Sequence, residues 1–585
     1  MTSAHLKQEP KAQKPKNVLV INKQIIEAAQ KHDLQQLLWT ISKHLLDMNL
    51  VNLSTALHRV AKLANNSSAT HVILGQCSVV HQLLEAIVVQ LQKESVLHVK
   101  PQSLSNILWA LASLQIVSKP IIQLCLHISE QSLASFKPFE VSTTLWALAK
   151  LKTLGPGTFP SIKSMFDAAA LHLAKHVKQF EFRCLSMIAW SYATSQEFNA
   201  QFFCFLGTYL AQKVAVGCGQ ELSLTAWAFG TAGIRHQELF DALTGKALHQ
   251  MDVFKPQELS NLVWGCASCN YFHQELFAAV LSSAKQKKLG SQHLANILWA
   301  FSRASPDLTI IRNAHFVLLP QCMEHLDVFK PEEISSVALS TAKAFGRDSA
   351  VDSMKKPNRA RPTWNLQTCP APPLVLKFFK RLVRCALARS GALPGQVLVN
   401  ILETYSRVCR LPVDAEDCAL FLDLAHAVVL RMSSLSPDWL LRICRLFTVG
   451  ELSGIPGKAV VIQPLVACVA QSFGYLGKEH EGFGFDVFSE AGSAQPTDEP
   501  ASSEDKESCV SWDSEEVGSD LLSPKSSSSS ARNGGHNSSL LASVKNTFLH
   551  FHVDDPDEQH GGGGARRRAS SAPGRCDCSL SSRLC

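Results

Sequence analysis

Apolar positions along this 585-residue chain follow the spacing of amphipathic helices, and the spacing itself repeats. Tryptophans stand at 109, 146, 190, 227, 264 and 299, separated by 37, 44, 37, 37 and 35 residues, and Leu339 takes the same place 40 residues further on. A second echo, His-Gln-Glu-Leu-Phe at 236–240 and again at 273–277, has the same period of 37. Weaker copies centre on His58, Glu403 and Cys444. Self-similarity at this period predicts stacked helical hairpins.

Each column of the repeat has a physical reading. Five residues before the centre the side chain is always a large aliphatic: Leu104, Val141, Leu185, Leu222, Leu259, Leu294, Ile334. Together with mostly apolar positions two before and two after the centre, these form a stripe that faces the partner helix of the same hairpin. Four before and three after the centre the residue is small, as in Ser223 and Gly230 around Trp227. An indole flanked by small residues one turn away on either side is a knob beside a groove. That face is predicted to pack on the next repeat.

Helix starts are legible too. Phe-Lys-Pro recurs at 136–138, 254–256 and 329–331, with Val99-Lys100-Pro101 as a variant. Proline at the first helical position sacrifices no hydrogen bond, and the following Glu140, Glu258 and Glu333 suit the positive helix end. The phenylalanine is placed to staple onto the fourth helical residue. The fold predicted is all-α: a right-handed α-solenoid of stacked hairpins with a period of about 37 residues, followed by a disordered C-terminal tail.

Composition divides the chain further. Residues 1–19 read as a disordered basic N-terminus, with Lys7, Lys11, Lys14 and Lys16 against Glu9, and 20–346 as the repeat array. Residues 347–372 read as a basic, proline-rich insertion, and 373–475 as degenerate helical repeats. From 485 to 585 the acidic run 498–520, a serine run and a glycine run predict a low-complexity tail. Hydrophobic content of 46% supports a folded array, and no run of eighteen or more uncharged apolar residues predicts a membrane-inserted helix. No secretory signal is recognisable ahead of the 18 cysteines, most of which fall in apolar helical stretches, so a reducing compartment is expected.

Candidate chemistry is sparse. Cys266 and Cys269 form a CxxC, but both fall in core columns and no second pair completes a zinc site. Gly217-Cys218-Gly219 stands where Phe-Lys stands in other copies and reads as a helix-start turn rather than a phosphate loop. His58 replaces a tryptophan and reads as packed. No HExxH, Walker or GxSxG motif occurs, so neither an enzyme nor a catalytic, metal or cofactor site is expected.

One pair of columns stands apart. Four after the centre the residue is polar in every copy, including Ser113, Lys150, Thr194, Thr231, Ser268, Arg303 and Lys343. Three before it stand Asn106, Thr143, Met187, Leu224, Asn261, Asn296 and Ser336, polar in all but two copies. Seven residues apart, the two columns share one helix face, expected to point away from both packing seams. Hydroxyls, amides and cations repeating in this way match helical-repeat recognition of single-stranded RNA. A solvated face is polar in any case, so polarity alone leaves a protein-binding scaffold of the HEAT or armadillo type open. The net charge of +7 tilts the reading towards RNA.

Ser103–Leu114 (SLSNILWALASL) and Pro256–Ser268 (PQELSNLVWGCAS) resemble the octotricopeptide and heptatricopeptide repeats of organellar proteins. They are also similar to the helical arrays of FAST-kinase-like proteins and of an RNA-editing substrate-binding complex subunit. The resemblance covers roughly residues 20–345 and more weakly reaches 475. It implies organellar RNA processing, stability or translation in mitochondrion or chloroplast, otherwise the cytoplasm, alongside other RNA-processing proteins. Many relatives end in a nuclease-like RAP domain. No such module is recognisable here, so cleavage is not expected.

Overall fold

The computed structural model describes residues 15–64, 68–155, 161–346, 372–409 and 414–448, and most of 452–472. All but the last residue of the basic insertion expected at 347–372, the tail expected at 485–585 and most of the expected N-terminal extension lie outside the described residues. Every regular element among the described residues is helical.

The chain begins with α1 (Pro15–Gln30), α2 (Leu34–His44), α3 (Leu50–Leu63), the short α4 (Ser68–Gly75) and α5 (Ser78–Lys93). Hairpins follow as α6 (Pro101–Leu114) with α7 (Lys119–Ser132), α8 (Pro138–Leu154) with α9 (Lys163–His176), and α10 (Phe182–Ser195) with α11 (Ala200–Lys213). Next come α12 (Gly219–Ala232) with α13 (Gln237–Leu248), α14 (Pro256–Ser268) with α15 (Gln274–Lys285), and α16 (Ser291–Ala304) with α17 (Leu308–Glu324). Then α18 (Pro331–Phe345), α19 (Pro373–Ala388), α20 (Gly395–Val408), α21 (Ala415–Val429), α22 (Pro437–Thr448) and α23 (Ala459–Ser472) complete the described chain.

Two layers result. The repeat centres lie in the first layer, where each of α1, α3, α6, α8, α10, α12, α14, α16, α18, α20 and α22 packs on the next. A second layer, less closely packed, runs beside it from α2 to α23. Both layers continue past the insertion, because α18 packs on α20 and α17 on α19. This is the architecture of an α-solenoid.

The column reading accounts for the packing. Leu104, Val141, Leu185, Leu222, Leu259 and Leu294 are wholly buried. Two residues after the centre, Tyr192, Phe229 and Phe301 meet Phe166, Phe203 and Phe277 of the second layer, with ring centroids 4.8–5.0 Å apart. Small residues let first-layer backbones touch. A Cβ on Gly230 would lie 2.7 Å from Gly265 Cα, and one on Gly265 would collide with the Ala226 carbonyl. Cys266 and Cys269 are buried thiols of this same layer.

Helix starts use the expected residues, and in a more specific way. Glu140, Glu258 and Glu333 each accept the backbone N–H of the N-cap lysine at 2.8–2.9 Å, half of a capping box. Glu221 does the same for Cys218 at 3.1 Å, so Gly217-Cys218-Gly219 is a helix-start turn. The repeated His-Gln-Glu-Leu-Phe also gains a reason. His236 and His273 cap α13 and α15, each ring Nδ1 accepting the backbone N–H three residues on. No single helix among the described residues is long and apolar enough to cross a membrane. The helices Ala69–Gly75 and Ser78–Lys93 would be long enough together but meet at a 61° bend.

Candidate nucleic-acid interface

The tryptophans of successive first-layer helices form a ladder. Ring centroids are 6.4 Å apart for Trp146–Trp190, 6.3 Å for Trp190–Trp227, 6.4 Å for Trp227–Trp264 and 6.0 Å for Trp264–Trp299. Interplanar angles of 26–32° show the indoles offset and nearly stacked. Such a pair gains stability beyond the area it buries. His58 belongs to the same row, its ring 4.7 Å from Trp109, so this histidine is packed as expected.

The two polar columns flank this ladder along one side. On a helix, positions three before and four after the centre lie some 40–60° round from it. They are not uniformly open, which corrects the expectation that the face stands clear of packing. Ser113, Thr143, Lys150 and Asn261 are buried, with exposures of 7, 2, 4 and 1%. Asn106, Thr194, Thr231, Ser268 and Asn296 are half-buried, and only Arg303 and Lys343 are exposed. The first-layer helices approach so closely, as at Gly230 and Gly265, that their flanks are partly enclosed.

Enclosure has left polar atoms without partners. Thr143 Oγ1, Thr194 Oγ1, Thr231 Oγ1, Asn261 Oδ1 and Asn296 Nδ2 are shielded from solvent and make no hydrogen bond. These residues come from α8, α10, α12, α14 and α16, one from each of five consecutive repeats. Burying such a group without a partner costs about 1–3 kcal/mol, so a row of them opposes folding. The indole Nε1 of Trp109 and of Trp227 adds to the row. Sequence reasoning assigned the indoles to packing alone and missed these donors.

Cations lie along the same flank. Lys150 Nζ is 5.0 Å from the Trp146 ring centroid and the Arg303 guanidinium 6.0 Å from that of Trp299, both within cation–π range. Burial lowers the Lys150 ammonium to a pKa of about 8. Lys343 is also lowered, by burial and then by the neighbouring Arg303 charge, and it donates to the Ser302 carbonyl. No group of three or more His, Cys, Asp or Glu suited to a metal occurs among the described residues. Neither a scan against protein-family models nor a search of curated proteins returns a match to this chain.

Proposed function

We propose that this chain is a non-enzymatic single-stranded RNA-binding protein whose first-layer helices each contribute side chains to one nucleotide. The observation that carries the reading is the row of unpartnered polar atoms on Thr143, Thr194, Thr231, Asn261 and Asn296. A polar atom left without an internal hydrogen bond, once per helix in five consecutive repeats, fits a ligand that repeats as well. Hydroxyls and amides both donate and accept, as base edges require. The half-buried Thr194, Thr231 and Asn296 reach a base by rotation about χ1. Arg303 and Lys343, exposed in consecutive repeats, meet phosphates, and Lys150, lying over the Trp146 ring on the same flank, turns outward to meet a third.

The likeness of the repeat to octotricopeptide and heptatricopeptide sequences supports the same reading. It extends the proposal to a right-handed array acting on organellar transcripts, in mitochondrion or chloroplast, through processing, stability or translation. A scaffold without nucleic acid would want an apolar anchor groove beside the ladder. The two apolar side chains of that flank, Met187 and Leu224, are buried, and the rest of the flank carries amides, hydroxyls and cations.

The test is fluorescence anisotropy of a labelled single-stranded RNA across a salt series, for the native chain and a Lys150→Ala/Arg303→Ala/Lys343→Ala variant. Binding should weaken as salt rises. The slope of log affinity against log salt should flatten by about 2 in the triple variant, at about 0.7 for each phosphate no longer neutralised. Absence of binding at low salt, or an unchanged slope, contradicts the proposal.

A further inference from the structure

Each second-layer helix returns to the next first-layer helix through a short turn, and these turns are joined to one another. Lys213 Nζ donates to the Lys178 carbonyl at 3.1 Å, Gln250 Nε2 to that of Gly217 at 3.3 Å, Lys287 Nζ to that of Asp252 at 3.0 Å, and Arg431 to that of Leu393 at 2.6 Å. These bonds join the turns before α10, α12, α14 and α16 in a row, and those before α20 and α22 to each other.

That edge carries aliphatic side chains that fold nothing. Leu46, Leu97, Val216, Val253 and Val328 are 96, 91, 77, 74 and 68% exposed, and all lie three or four residues before the start of a first-layer helix. Single exposed aliphatics need no explanation, but recurrence at one point of the repeat does. In the turns before α10 and α16 the corresponding place is taken by Lys178 and Lys288, also exposed.

Lysines follow immediately. Lys100, Lys137, Lys255 and Lys330 are the N-caps of α6, α8, α14 and α18, and all four are exposed. A cation at a helix N-terminus opposes the macrodipole, so helix stability does not account for them. The turns of this edge, from residue 45 to 436, hold nine Lys and Arg against five Asp and Glu. Among the described residues, the turns of the opposite edge, from 31 to 458, hold three against four.

We propose that this edge is a docking surface for the face of an anionic lipid bilayer. Nucleic-acid phosphates would be served by the lysines, but they offer nothing to five protruding aliphatics. A protein groove takes a contiguous apolar patch, whereas these tips stand one to three repeats apart. A bilayer interface accepts each tip separately among its acyl chains while the lysines meet lipid phosphates. Where the turns are already joined, from α10 to α16 and from α20 to α22, little ordering accompanies docking. The chain binds from one side and does not cross.

The test is co-sedimentation of the full chain with phosphatidylcholine vesicles, with and without phosphatidylserine. Two variants are compared, Leu46→Ser/Leu97→Ser/Val216→Ser/Val253→Ser/Val328→Ser and Lys100→Gln/Lys137→Gln/Lys255→Gln/Lys330→Gln. The native chain should bind the phosphatidylserine vesicles and hardly the neutral ones, and each variant should bind them at least about tenfold less. Circular dichroism melts should coincide, because the altered side chains are exposed; the pair Leu46→Ser/Leu97→Ser gives the same readout at smaller amplitude should the larger set unfold. RNA affinity of the serine variant, measured on the same preparation, should be unchanged. No binding of the native chain to anionic vesicles, equal binding by the serine variant, or loss of RNA binding in that variant overturns the proposal.

Discussion

The repeats from α6 to α16 and those from α19 to α23 share one architecture and hold it by different means. In the first region adjacent helices meet through stacked indoles and bare backbone. In the second, Glu403 stands where an indole would, and Arg442 of the next first-layer helix pairs with it. Tyr405 stacks on Phe379 and Phe421, with centroids 5.4 and 4.6 Å away, and donates its hydroxyl to Asp417. Lys380 gathers Glu416, Asp417 and Asp414 at 2.7, 3.1 and 3.3 Å. The lesson is that the hairpin stack tolerates either adhesive. Apolar stacking is indifferent to pH and salt, whereas exposed ion pairs are weak and screened.

The largest effect expected from breaking this contrast is loss of a ladder indole. Trp227→Ala removes stacking on both neighbours and should cost about 3–5 kcal/mol, with faster amide exchange in α10, α12 and α14 and little change beyond α19. Arg442→Ala, the counterpart in the other region, should cost about 1 kcal/mol or less. Equal losses would erase the distinction. Next in size is Gly265→Ala, whose methyl group collides with the Ala226 backbone. Overpacking of this kind costs about 1–3 kcal/mol, readable as a shift in the urea midpoint, whereas alanine in an open helix is favourable.

Acid should separate the two regions more gently. Asp414 is held below the usual carboxylate range, first by the Asp417 backbone N–H and then by Lys380; Glu416 is also lowered, first by its Lys380 hydrogen bond. Both contribute stability above their unfolded values that is lost as pH falls through the lowered ones. Glu140, Glu221 and Glu258 are raised by burial, against the pull of their capping N–H groups, so their contribution is fully present in acid and declines as pH rises through the raised values. Amide exchange at a pH near 3.5, below the ordinary 3.8 and 4.5 of these groups, should loosen α19–α21 before α8–α14. The reverse order would contradict the assignment.

The smallest effect concerns Lys150, lowered to about 8 by burial. The free chain loses this charge as pH rises through 8, while a phosphate-bound lysine keeps it. RNA affinity should therefore fall between pH 7 and 9, and Lys150→Arg should flatten the fall because arginine stays charged. Fold stability should move oppositely. From about 8 to 10.5 the unfolded lysine holds a proton that the folded one has lost, so stability rises with pH.

Much of the architecture was legible because it is repeated chemistry. The aliphatic column five before the centre, the small residues around each indole and the prolines at helix starts are local rules, and each recurs often enough to stand out. The second-layer capping by His236 and His273 was visible only as an echo, since nothing in a sequence says which ring nitrogen accepts. The exposure of the expected face was misjudged. Helical spacing gives the angle of Thr143 or Asn261 about its own axis and says nothing of how near the next helix comes. Around Asn261 that distance is set by Gly230 and Gly265, one on each of two adjacent helices. The apolar edge went unnoticed because Leu97 and Val253, read within their own turns, resemble ordinary core residues.

The most direct test of the account is affinity for single-stranded RNA as a function of length. Eight first-layer helices carrying repeat centres, α3 to α18, precede the insertion. If each serves one nucleotide, affinity should climb with every added nucleotide up to about eight and then level off, with a duplex of equal length bound far more weakly. Equal affinity for duplex and single strand, or a plateau reached within three or four nucleotides, would show that successive repeats do not read successive nucleotides.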